Sequence, residues 1–213
     1  MLLTGFQGYG GRNDNPSAQV VEALAGTRIA GQTVVGEVLP VTNHDLQARI
    51  ESLIAQHEPT LLVCLGLAPG ENMIRIERLA ANYSRFEIPD NAGDRVEGAI
   101  CDDGPAAYES TLPVSAICEG LVAAGIPARV SATAGTFLCN AIMYHALHYC
   151  AAQRLACRAG FIHLPYLPSQ VSDIIRTASS GGAIELHQRA DLASMALADQ
   201  IEAIRRAIEL TLS

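Results

Sequence analysis

Cys139 is the penultimate residue of SATAGTFLCN, residues 131–140, where small and hydroxyl-bearing side chains give way to an apolar, helically spaced run. The spacing puts the sulfur about three residues into that helix. Unpaired N–H groups and the positive dipole end of a helix start favour a thiolate over a thiol, and they can also hold an oxyanion. A thiol nucleophile needs a base and the base an orienting acceptor. Of the six histidines, His163 is best placed, because AGFIHLPYLP sets it at the end of an apolar strand directly after the Cys139 helix. Ligands of open α/β sheets bind beyond the strand C-termini. Glu77, in MIRIERLAAN, follows the sheet-like alternation of Ile74 and Ile76. An acid in a sheet must be paired or functional, and an ion pair with Arg75 or Arg78 would satisfy it as well as a catalytic role. Burial as a small hydrophobe is the alternative for Cys139, and a satisfied core position the alternative for His163.

The remaining candidates are weaker. His145 and His148 lie three apart on one helix, but no third ligand is spaced to join them, so no metal is expected. His44, His57 and His187 read as helix caps or solvated faces. The turn TGFQGYGG resembles a nucleotide-binding glycine loop, yet it leads into Asn15-Pro16 and no acidic residue ends the second strand to hold a ribose. Its aromatics, Phe6 and Tyr9, better suit a small flat apolar ligand.

The elements that would position these groups alternate between short apolar strands and helical patterns, which predicts an α/β domain with a largely parallel sheet. Strands are expected at 1–6, 33–41, 61–67, 73–82, 128–132 and 159–164. Helices are expected from Asn15-Pro16 to Gly26 and over 44–58, 114–124, 137–153 and 186–212, with a Ser- and Gly-rich loop before the last. Residues 83–108 are polar and lack periodicity, so they are either disordered or a functional surface excursion.

Composition narrows the function classes. The 213 residues fit one domain, 1–213, with a core of aliphatic side chains, since hydrophobic residues make up 49% and aromatics 5%. A net charge of −8 without a basic run excludes nucleic acid as a partner. No stretch is long enough to span a bilayer and the N-terminus lacks signal-peptide features, so a cytoplasmic protein with no membrane partner is expected. The six cysteines show no CxxC spacing and are expected to be reduced. None of the 14 basic residues is lysine, which removes P-loop, Schiff-base and Tyr/Lys dehydrogenase chemistry.

TGFQGYGG with NPS, IERLAAN with IPDN, SATAGTFLCN and GFIHLPYLP together resemble the pyroglutamyl peptidase I, or pyrrolidone-carboxylate peptidase, family. The resemblance runs in order from the first residues to about Gln170. It implies a three-layer α/β/α sandwich and a cofactor-free cysteine peptidase that removes an N-terminal pyroglutamyl residue from small peptides. It also implies a homo-oligomer, a dimer or tetramer. The family's nucleophile, base and third catalytic residue fall on Cys139, His163 and Glu77. Phe6, Tyr9, Asn15, Leu67, Arg85 and Glu87 form the candidate substrate-contacting set. Three departures stand out: FQGYGG replaces the family's FEPFGG, GLAPG replaces GQAGG at Leu67 to Pro69, and Glu87 replaces an arginine before IPDN. Arg85, on the same face of an extended segment, is the candidate to take over that cation's role.

Overall fold

The computed structural model describes residues 1–12, 14–179 and 193–213. The chain begins with β1 (Leu2–Phe6), and the glycine-rich turn then enters α1 (Pro16–Leu24). Asn15 caps that helix as its sequence requires, its Oδ1 accepting from Ser17 N at 3.0 Å, with Pro16 in the first turn. A short hairpin, β2 (Arg28–Ile29) and β3 (Gln32–Thr33), precedes β4 (Val35–Leu39), α2 (Leu46–His57) and β5 (Leu61–Leu67). Then follow β6 (Ile74–Glu77), β7 (Leu79–Ala81), β8 (Ser84–Arg85), β9 (Glu97–Gly98) and β10 (Ala107–Glu109). The chain ends with α3 (Val114–Ala123), β11 (Ala128–Ser131), α4 (Leu138–Ala152), β12 (Arg158–Leu164), α5 (Pro168–Ser179) and α6 (Leu197–Leu212).

The central sheet has the order β11-β6-β12-β5-β1-β4 and is parallel except where β12 meets β6. Alternation along its strands sends Leu2, Leu62, Cys64 and Phe161 to one face, against α2 and α4. Leu3, Val63, Leu65, Ile74, Ile76 and Ile162 go to the other, against α1, α3 and α6. This is the three-layer α/β/α arrangement, with a mixed sheet.

Three expectations change. The single strand over 73–82 is two, because at Arg78 the chain leaves the central sheet: Arg78 N donates to Ser131 O, Arg78 O accepts from Ser110 N, and β7 pairs with β10. Residues after Pro165 form α5 instead of a loop, Pro168 at its first position having a backbone angle set for the helix and buried Ile174 supplying an apolar anchor. The last helix starts at Leu197; residues 186–192 of the expected helix, with His187, lie outside the described residues.

The excursion from 83 to 108 is ordered by four polar side chains. Asn82 donates to Cys101 O at 2.7 Å and accepts from Ile100 N and Cys101 N at 2.9 Å. Asp90 accepts from Asn43 N, Ala92 N and Asp94 N, and Asn91 donates to Gly8 O. Asn140 holds the base of the excursion to α4: its Oδ1 accepts from Ala81 N, and its Nδ2 donates to Ala81 O and Tyr83 O, all within 3.0 Å. Asn140 is fully buried. Asn140→Ala leaves those three backbone groups without their partner and should cost about 3 kcal/mol, read as a lowered urea midpoint with an unchanged m-value. An unaltered midpoint would remove the clamp from this account.

Candidate active site

Gly66, His163 and Arg75 lie side by side on β5, β12 and β6. All three, with Glu77, belong to the sheet face that α4 covers. A Cβ on Gly66 would stand 2.8 Å from Cys139 Sγ and 2.7 Å from Phe161 Cζ. The sulfur therefore rests on the bare backbone of Gly66, next to the strand position of His163. The His163 ring packs on Phe161, centroids 4.7 Å apart, and donates from Nδ1 to Glu77 Oε1 at 2.7 Å. That bond leaves Nε2 free of the carboxylate and turned to other work. Glu77 is 0% exposed and His163 6%.

Cys139 and His163 open together into a cavity of about 360 Å³, walled also by Tyr9, Leu67, Phe137 and Ile88. Arg85 and Glu87 stand exposed on its rim, and Arg75 lines it from the sheet. Phe6 and Asn15 are set deeper, around a small adjoining cavity that also touches Tyr9, Leu67 and Cys139. The expected set thus converges, but in two ranks, with Asn15 spent on the α1 cap and on Gln7 O at 3.0 Å. Arg85 is anchored by its backbone, N donating to Thr136 O and O accepting from Thr136 Oγ1. The excursion is thereby stitched to the loop that delivers the cysteine.

Cys139 is the second residue of α4, and its own backbone N–H favours the anion, but burial pushes the thiol up to about 12 and the Glu77 charge adds to the rise. The helix start and the loss of water therefore act on the thiol in opposite directions. Away from the cavity, burial holds His145 down at about 4, and His148 shares Nδ1 with the Tyr108 hydroxyl at 3.0 Å. Among the described residues no cluster of three or more metal-ligating side chains forms, and no helix is long and apolar enough to cross a membrane.

With the site in view, comparison with known proteins is decisive. The model of the pyroglutamyl peptidase family matches residues 1–213. The chain belongs to this family. A pyrrolidone-carboxylate peptidase of Mycobacterium marinum is 46% identical over 172 residues, covering 79% of this chain and 78% of the relative. The pyrrolidone-carboxylate peptidase of Pyrococcus furiosus is 38% identical over 213 residues, 100% of this chain and 97% of the relative. Crystal structures of the Pyrococcus furiosus pyrrolidone carboxyl peptidase superimpose with a TM-score of 0.90 at 38% identity, covering 99% of this chain and 97% of that one.

Three residues escaped the reading of this pyroglutamyl peptidase-family chain from its sequence. Phe137 stacks obliquely between Phe86, at 4.5 Å, and Tyr9, at 6.4 Å, and walls both cavities. Its signal was an aromatic two residues before the cysteine. Arg75 was weighed only as a plain ion-pair partner. Gly66 had no signal, because its role depends on which helix crosses it.

Two outcomes follow from this geometry. Gly66→Ala should push the sulfur off its seat and lower kcat at least about tenfold with a folded protein by circular dichroism; wild-type kcat would show that the seat is not needed. Alkylation of Cys139 by iodoacetamide should accelerate about tenfold per pH unit from pH 6 to 9, since a thiol titrating near 12 gains thiolate in proportion to hydroxide across that range. A flat rate over the same interval would mean that a thiolate is already formed.

Proposed function

We propose that this protein is a cofactor-free cysteine peptidase that hydrolyses the bond after an N-terminal pyroglutamyl residue of small peptides. The observation that carries the reading is the seating of Cys139 Sγ on Gly66, beside a histidine whose Nδ1 is fixed by a fully buried carboxylate. In this mechanism His163 Nε2 takes the Cys139 proton as the sulfur adds to the pyroglutamyl carbonyl. The carbonyl oxygen becomes an anion at the start of α4, where the Cys139 backbone N–H is a suitable donor. His163 then returns the proton to the departing amine and a thioester remains. Water, deprotonated by the same imidazole, releases pyroglutamate and restores the thiol. Glu77 holds the imidazole in the useful tautomer and offsets its transient positive charge.

The lactam ring is assigned to the pocket between Tyr9, Phe137 and Leu67, whose flat and apolar walls suit a small ring without net charge. The peptide beyond the scissile bond would leave past Arg85 and Glu87. A carboxylate at the rim in place of a guanidinium supports a second reading with the same chemistry: Glu87 accepts a free amino terminus. Comparing pyroglutamyl with free aminoacyl amides separates the two. Family resemblance and the aliphatic composition extend the proposal to a single-domain, cytoplasmic homo-oligomer.

Hydrolysis of a chromogenic pyroglutamyl amide by the wild type should fall at least about a thousandfold in Cys139→Ala and be unaffected by EDTA. Residual turnover near the wild-type level in that variant would end the thiol mechanism, and loss in EDTA restored by zinc would replace it with a metal one.

A further inference from the structure

We propose that Arg75 is a positioning residue for this reaction, acting through Glu77 and through the loop that delivers Cys139. The proposal rests on the hydrolytic reading above. Arg75 Nε lies 3.1 Å from Glu77 Oε1, the same oxygen that accepts the His163 Nδ1–H. The Arg75 contact is an ion pair and not an aligned hydrogen bond, so it works on the carboxylate by charge and leaves the lone-pair direction to histidine.

Both terminal nitrogens of the guanidinium are engaged. Nη1 donates to Glu71 Oε1 at 3.0 Å, and Glu71 is itself held by Arg129 at 2.8 Å. Nη2 donates to Ser131 Oγ at 2.9 Å and to Thr133 O at 3.0 Å. Ser131 ends β11, and Thr133 lies in the connection that runs into α4. One planar group therefore ties the acceptor of the base to the segment that carries the nucleophile. It sits beside His163 in the sheet register and faces the catalytic cavity.

Lysine could supply the charge but not three directed contacts in one plane. Moving Glu77 away from His163 by a fraction of an ångström would turn the imidazole without touching the substrate pocket, so the effect should appear in turnover and not in binding. The groups facing Glu77 are Arg75 from its own strand, His163 from β12 and Cys139 from α4. Loss of Arg75 leaves the carboxylate with the His163 Nδ1–H as its remaining donor among them.

The test compares Arg75→Met, Arg75→Lys and wild type by kinetics on a pyroglutamyl amide and by the low-field proton resonance of the His163 Nδ1–H, which needs no substrate. Arg75→Met should lower kcat about a hundredfold with KM within about twofold, and should shift or broaden the resonance. Arg75→Lys should recover part of both, and remains informative if the methionine variant does not fold. Wild-type kcat and an unshifted resonance in Arg75→Met, or in Arg75→Lys if only that variant folds, would overturn the proposal. So would a fall in kcat matched by an equal fall in alkylatable Cys139, which marks a folding defect. If the wild type leaves pyroglutamyl amides intact while the resonance responds as expected, the hydrolytic reading fails and the positioning role of Arg75 stands.

Discussion

A carboxylate with no solvent exposure is the constraint around which this molecule is arranged. Glu77 cannot be ionised in the interior of a sheet without nearby positive charge, since the loss of hydration costs several kcal/mol per ion even after relaxation. The fold answers with Arg75 at 3.1 Å and the donor of His163 at 2.7 Å, both on the same oxygen. Each consequence for the chemistry follows from that answer. The imidazole is pinned in one tautomer, its other nitrogen is released toward the cavity, and the negative charge behind it raises the cost of forming a second anion on Cys139.

The sheet topology makes this arrangement possible. In a wholly parallel sheet only strand C-termini would reach the catalytic edge, and β6 would bring its N-terminal half to the opposite end. Because β6 and β11 run antiparallel to β12, the first half of β6 arrives beside the end of β12, in register with His163. Arg75 and Glu77, two apart on that strand, then face the same side. Leu67 comes conventionally from the end of β5, and Tyr9 from the turn after β1. The site draws on a switch in strand direction where many α/β proteins use a switch in strand order.

Much of this was legible in the residues, and the pattern of success has a physical cause. The strand 61–67 matched β5 at both ends because a strand covered on both faces is an unbroken apolar run bounded by polar turns. The capped start of α1 was equally plain, since Asn and Pro at a helix entrance act locally. Cys139, His163 and Glu77 were found as separate candidates with structural alternatives, and resemblance to a family joined them before geometry did. What could not be read were quantities set by partners distant in sequence. The break at Arg78 leaves the alternation of IERLAA undisturbed and exists only because Ser131 and Ser110 bind its backbone. Gly66 is meaningful only once Cys139 is known to lie on it. The thiol's proton affinity has a related divided origin: a helix start is visible in sequence, whereas the dehydration that opposes it is a property of the finished packing.

That last point bears on how such a site can work at all. A thiolate formed in advance would be the stronger nucleophile, but it would stand close to a buried carboxylate and lose its own hydration, and burial already places the thiol near 12. In the proposed mechanism the sulfur is held as a thiol, which removes that penalty from the resting state and defers charge separation to the moment of attack. On that proposal positive charge then appears on His163, directly against Glu77, while negative charge moves from the sulfur to an oxygen at the start of α4. Both charges develop where the fold has already placed a complement, so little reorganisation is required when the bond forms. The buried acid that disfavours the anion at rest is thus the group that favours the ion pair in transit.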